Sequence, residues 1–263
     1  MMKAVIRTDR LSKYYGKAGE IKAVDELDLE VYEGETFGLL GPNGAGKTTT
    51  VRLLNCIIKP TNGTATVNGY DILKEETNVK RVTGLLPESP GLYEKLSAKE
   101  FLEFVGALYD VPKDVLAERT EDLLKLFGLG DRRDDLLEGY SRGMKQKVLI
   151  AAALIHDPPI LFFDEPTSNL DPGAALIVKD LIKKLAGSAG KTILICSHIL
   201  PIVEELCDRM GIINGGKLIA LGTVKEIKAK TKTKTLEEAF IALTGGGDEK
   251  ELLAWREHRA ARS

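Results

Sequence analysis

Apolar residues along this chain follow two periods, one close to two and one close to three and a half. Val24, Leu27, Leu29 and Val31 recur near every second position and stop at Glu33-Gly34, which predicts a half-buried antiparallel strand. Thr64 to Val67 predicts another, closed by the turn pair Asn68-Gly69. Between them Glu35 to Leu40 reads as a strand and Thr49 to Leu54 as a helix. From about Glu88 to Ile155 the period lengthens. Ser97 with Glu100 forms a capping box ahead of Phe101, Leu102, Phe104 and Val105. Pro112 opens a second helix carrying Val115 and Leu116, and Leu123, Leu124, Leu126 and Phe127 predict a third, stopped by Gly128. Beyond this stretch, Ile160–Phe163 and Thr192–Cys196 are unbroken apolar runs, as buried parallel strands require. Met210 to Gly222 reads as a hairpin around Asn214-Gly215-Gly216. The residues after Gly245-Gly246-Gly247 are charged and weakly periodic, consistent with a loosely docked helix or a frayed end.

These periods divide the chain into an α/β core over 1–87 and 156–226, a helical insert over 88–155, and a helical or flexible tail over 227–263. Its 263 residues suffice for one such large domain. An apolar content of 43% and a charged content of 29% are ordinary for a globular protein. The net charge of −2 argues against a dedicated nucleic-acid binder. Val148–Ile155, the longest apolar run, is far too short to span a bilayer, and Met1–Arg7 carries no apolar signal segment. Cys56, Cys196 and Cys207 lie far apart without metal spacing, as buried free thiols in a reducing compartment would. Lys225, Lys228, Lys230, Lys232 and Lys234 form a basic run, read as a solvated face or as a contact for anionic headgroups.

Gly41-Pro42-Asn43-Gly44-Ala45-Gly46-Lys47-Thr48 satisfies the G-x-x-x-x-G-K-[ST] phosphate-binding pattern, in the strand–loop–helix context that pattern needs. Glycines let successive N–H groups point at phosphate oxygens, and the helix start adds a field that favours an anion. Lys47 is placed to reach β- and γ-phosphates, and the Thr48 hydroxyl to ligate Mg²⁺. Asp164 and Glu165 end the apolar run that begins at Ile160. The first suits a metal hydration shell, the second an attacking water.

The run Phe163-Asp164-Glu165-Pro166-Thr167-Ser168-Asn169-Leu170-Asp171-Pro172 resembles the Walker-B and D-loop segment of ABC ATPases. Further motifs of that family follow in its order. Tyr15 matches the aromatic that stacks on adenine, although a strand tyrosine also serves as packing. Glu88 stands where the Q-loop glutamine is usual. Tyr140-Ser141-Arg142-Gly143-Met144 is similar to the signature loop Leu-Ser-Gly-Gly-Gln, with Arg142 replacing the first glycine. His198 matches the switch histidine. The resemblance covers residues 4–243, and its variants at Pro87-Glu88 and Ser141–Lys147 look like the sodium- and drug-export branch with ABC-2-type membrane partners.

The resemblance implies a P-loop α/β fold with a mainly parallel sheet, an antiparallel β-layer and an inserted helical subdomain. It implies ATP and Mg²⁺ as ligands. Tyr15, Gly41, Pro42, Asn43, Gly44, Ala45, Gly46, Lys47, Thr48 and Thr49 would contact the nucleotide, with Ser141, Gly143 and Asp171 doing so across a dimer. Thr48, Glu88 and Asp164 would serve the metal, and Glu165, His198 and Lys47 the hydrolysis. Partners would be a second ATP-binding subunit, identical or homologous, and an ABC-2-type permease. The subunit would then be cytoplasmic, peripheral on the inner face of the cell membrane. An importer subunit or a non-transport ABC ATPase are the alternatives. The 94 residues from Lys47 to Ser141 leave no room for the long coiled coil of DNA-repair members.

Overall fold

The computed structural model describes residues 3–88, 91–168, 170–187 and 189–245. The chain opens with β1 (Ala4–Tyr15), β2 (Ile21–Leu27) and β3 (Glu30–Tyr32), then β4 (Thr36–Leu40) and α1 (Lys47–Leu54). The hairpin β5 (Asn62–Val67) and β6 (Tyr70–Asp71), the short α2 (Glu76–Arg81) and β7 (Thr83–Leu86) follow. Three helices come next, α3 (Ala98–Leu108), α4 (Lys113–Leu126) and α5 (Arg142–Leu154). The chain returns through β8 (Ile160–Asp164), α6 (Pro172–Gly187), β9 (Thr192–Ser197) and α7 (Leu200–Leu206). It closes with the hairpin β10 (Arg209–Asn214) and β11 (Lys217–Gly222), then α8 (Val224–Thr231) and α9 (Leu236–Thr244).

Two sheets result. One is antiparallel, ordered β2-β1-β5-β6, with β3 also on β1. The other runs β11-β10-β4-β9-β8-β7, parallel throughout except for the β10–β11 hairpin. Its central strands are buried along their full length, which explains their unbroken apolar runs. One face of this sheet packs with α1 against the antiparallel sheet, through Phe37, Leu39, Phe162 and Leu194. The opposite face packs on α3, α4, α5 and α6, through Leu161, Phe163, Ile193 and Ile195.

Three expectations change. The single strand expected over Val24–Val31 is two. Glu26 turns the chain at φ +50°, so β2 pairs with the second half of β1 and β3 with its first half. The helices expected from Pro112 and at Leu123–Phe127 are one, α4. Nothing between Leu116 and Leu123 breaks it, and Leu116, Thr120 and Leu124 form a continuous buried stripe. The boundary expected at 226/227 falls inside α8, whose Ile227 is fully buried against Leu40, Val203, Met210 and Ile212. Residues 227–245 therefore pack on the sheet; the segment after Gly245 lies outside the described residues. Lys225, Lys230, Lys232 and Lys234 are exposed and Lys228 half-buried, away from Ile227, as a solvated face requires.

The helical region is seated on the sheet through a close backbone contact at Gly84 of β7. A Cβ there would lie 2.1 Å from the carbonyl oxygen of Ala153 in α5. Gly84→Ala must therefore push α5 off the sheet, at a cost of about 1–3 kcal/mol. Urea unfolding should show a lower midpoint; an unchanged midpoint would mean that α5 has slack at this contact.

Candidate functional site

The parallel strands converge on one edge. Leu40 pairs with Ser197 at the ends of β4 and β9, Cys196 with Asp164 across β9 and β8, and Phe163 with Leu86 across β8 and β7. The chain leaves these ends at Gly41, His198, Glu165 and Pro87-Glu88. Open α/β sheets bind ligands outside the carboxyl ends of their strands.

The loop after β4 turns into α1 at Gly46, where φ is +111°. A Cβ there would lie 2.2 Å from the carbonyl oxygen of Ala23, so only glycine lets the loop lie against β2. Gly46 offers α1 no side-chain cap. The first-turn N–H groups, which no intrahelical acceptor reaches, are thus open to the cavity. That cavity measures 210 Å³, and its walls are Asn43–Thr49 with Ala23, Glu88 and Glu165. Lys47 is buried and donates to the carbonyl oxygens of Gly41 at 2.7 Å and Pro42 at 3.1 Å. Its Nζ lies 4.0 Å from Glu165 Oε1.

Asp164 is 2% exposed, and its Oδ1 has no hydrogen-bond partner. Burial, then repulsion from Glu88 and Glu165, holds its carboxyl up at about 6, against the pull of the Thr48 hydroxyl and Lys47. An orphaned buried carboxylate oxygen beside a hydroxyl and a second carboxylate suits a hard divalent cation. Among the described residues no three His, Cys, Asp or Glu side chains form a ready-made metal cluster. The cation would need oxygens from an anionic ligand in the cradle as well.

Glu165 sits at φ +52°, which turns its side chain back along the strand ends. Its Oε1 accepts from His198 Nδ1 at 2.7 Å and from the His198 backbone N–H at 3.0 Å. Its Oε2 accepts from Ser197 Oγ at 3.2 Å. Ser197 had no role in the sequence reading; the available signal was a hydroxyl beside the histidine at the end of a buried strand. His156 is instead a structural residue, stacked on Tyr109 and bonded to the Thr83 carbonyl oxygen at 2.9 Å.

The remaining expected residues lie outside the cavity walls. Ser141 caps α5, its Oγ accepting from Met144 N–H at 3.3 Å. Gly143 is in the first turn of that helix, and Arg142 lines an adjoining cleft with Glu94, Lys145 and Gln146, which shares Glu88 and Glu165 with the cavity. Asp171 Oδ1 accepts from Ala174 N–H at 3.0 Å, at the start of α6. Tyr15 ends β1, 39% exposed, with Lys13 Nζ 5.3 Å from its ring centroid. Gly41 and Pro42 sit behind the cradle, their carbonyl oxygens taken by Lys47.

Comparison with known proteins adds the family context. Residues 24–168 match the family described as ABC transporter. The chain is 39% identical over 236 residues to the ABC transporter ATP-binding protein NatA of Bacillus subtilis, covering 89% of this chain and 96% of that protein. It is 36% identical over 238 residues to the linearmycin resistance ATP-binding protein LnrL of the same organism, covering 90% and 75%. A solved ATP-binding subunit of an ABC transporter superposes with TM-score 0.82 at 30% identity, covering 91% of this chain and 99% of that one. A dimeric post-hydrolysis ATP-binding cassette, MJ0796 bound to ADP and Pi, superposes with TM-score 0.76 at 26% identity, covering 83% and 98%.

The cost of burying Asp164 sets a pH dependence. Its carboxyl titrates near 6 in the folded chain and near the ordinary 3.8 when unfolded. Between these values the folded state holds the proton more tightly, so this group's contribution to stability falls as pH rises from about 4 to about 6. Asp164→Asn carries no such penalty. Ligand-free, the variant should match the wild type near pH 4 and exceed it by about 1–3 kcal/mol at pH 7. Thermal melts across that range check this; a variant less stable at pH 7 would show that the pull of Thr48 and Lys47 on the carboxylate outweighs the cost of burying it.

Proposed function

The chain belongs to the ABC transporter family as an ATP-binding subunit, and from that premise we propose that it is the motor of an exporter. Two such subunits would close head to tail over ATP and drive an ABC-2-type permease, which would hold them at the cytoplasmic face of the cell membrane. The observation that carries this reading is the strand-end convergence, in which the uncapped start of α1 with Lys47 opens on a cavity walled by Glu88 and Glu165, with Asp164 beside Thr48 and His198 on Glu165. Export is favoured by likeness to a relative named for linearmycin resistance.

In this reading the first-turn amides of α1 and the loop residues Asn43–Gly46 hold the β- and γ-phosphates, joined by Thr48 and Thr49. Lys47 exchanges its two carbonyl partners for phosphate oxygens, a stronger charge-assisted pairing. Thr48, Asp164 and Glu88 hold Mg²⁺, which neutralises phosphate charge. Glu165 orients the attacking water through a carboxylate oxygen. His198 has a half-exposed side chain, with room to leave Glu165 and reach the γ-phosphate. Tyr15 stacks on the base. Ser141 and Gly143, at the start of α5, do not line this cavity, so they serve a nucleotide bound by the second subunit. Asp171, at the start of α6, belongs to the same facing surface. The helical region over 88–155 transmits closure to the permease, since Glu88 links it to the cavity.

Glu165→Gln tests the sandwich. Neutralising Glu165 should slow hydrolysis sharply while binding survives, because Asp164 and Thr48 are untouched. It also removes a negative charge facing the phosphates in a closed interface. Light scattering after gel filtration should show a shift from monomer to dimer with MgATP and not with MgADP. Adding Ser141→Arg should reverse the shift. A variant that hydrolyses at the wild-type rate, or stays monomeric at saturating MgATP, would contradict this function.

A further inference from the structure

The two oxygens of Glu165 have different partners. Oε1 takes the His198 ring and backbone N–H groups and faces Lys47. Oε2 is held by Ser197 alone among the side chains that donate to it in the described residues. A carboxylate oxygen carries no hydrogen, so in this contact the Ser197 hydroxyl must be the donor. The Ile199 backbone N–H donates to the same Ser197 Oγ at 3.0 Å, which occupies one of its lone pairs. Ile199 immediately precedes α7, and Ser197 is 1% exposed at the end of β9. The hydroxyl is therefore fixed at both ends, its lone pair by the helix start and its hydrogen by Glu165.

We propose that Ser197 is a positioning residue for hydrolysis, holding Oε2 of Glu165 so that Oε1 remains aimed into the nucleotide cavity. The inference rests on the reading that Glu165 orients the attacking water, and it supplies what that reading lacks. When the His198 ring swings to the γ-phosphate, Oε1 loses its 2.7 Å partner. The carboxylate would then be free to rotate about its terminal torsion, which has only broad intrinsic minima. Ser197 and the His198 backbone N–H stay with the strand end and prevent that rotation. The buried hydroxyl does not move with the nucleotide, so Glu165 keeps one orientation through the cycle. One oxygen anchors the side chain; the other works.

The test is steady-state ATPase kinetics of the full chain for Ser197→Ala, Ser197→Cys, Ser197→Thr, Glu165→Gln and the Ser197→Ala/Glu165→Gln pair. A misaimed oxygen should lower kcat roughly tenfold to hundredfold, with KM within about twofold of the wild type. Ser197→Cys keeps nearly the same volume with a much weaker donor, so it should fold and share the loss. Ser197→Thr keeps the hydroxyl and should restore most of the rate. Because Ser197 acts through Glu165, adding Ser197→Ala to Glu165→Gln should cost nothing further. A double variant well below Glu165→Gln, or a rise in KM with kcat unchanged, would show a merely structural serine and overturn the proposal. So would wild-type kcat in both Ser197→Ala and Ser197→Cys beside an inactive Glu165→Gln. Normal hydrolysis by Glu165→Gln itself would instead remove the role assigned to Glu165, a distinct failure.

Discussion

Helix α1 begins with no side chain to cap it, and that open end is the constraint on which the site depends. Its first amides form a patch of positive potential, and Lys47 adds a full charge. Around this patch stand Glu88, Asp164 and Glu165, which by themselves would repel a phosphate. Two of these charges rest on local partners. Lys47 is on the Gly41 and Pro42 carbonyl oxygens, and Glu165 is on Ser197 and His198. Asp164 Oδ1 has none. The site carries an unmet electrostatic demand for a polyanion with a divalent cation, which is what MgATP would supply under the proposed function.

Strand order makes this possible. β4, β9, β8 and β7 lie side by side and parallel, so residues distant in sequence emerge at one edge. The paired strand ends set the phosphate loop, the Ser197-His198 pair, the acidic pair and Glu88 next to each other. Burial on both faces holds the strands in register, and Gly46 lets the phosphate loop press against Ala23. Ser141 and Gly143, at the start of α5, are not among the walls of this cavity.

Much of the core was legible because its signals are local. The phosphate loop has fixed spacing, the buried strands are unbroken apolar runs, and the Gly215-Gly216 turn announces its hairpin. What escaped depends on contacts made after folding. Glu26 and Glu165 adopt positive φ without being glycine, so neither the split between β2 and β3 nor the reversal after β8 shows in the residue types. The union of two expected helices into α4 follows from the Leu116–Thr120–Leu124 stripe, which only its packing partners reveal. The docking of α8 rests on Ile227, fully buried among lysines, with Val224 packed beside it. Ser197 gained a role only when the strand ends met.

Amide hydrogen exchange resolved by residue across 43–49, with and without MgATP, tests the central claim most directly. If the open start of α1 is the phosphate cradle, the amides of Gly44 to Thr49 should slow about tenfold or more on binding, in a subunit kept monomeric by Ser141→Arg. The amide of Gly143 should then stay unchanged. Exchange at 44–49 that does not change while ATP is bound would contradict the account.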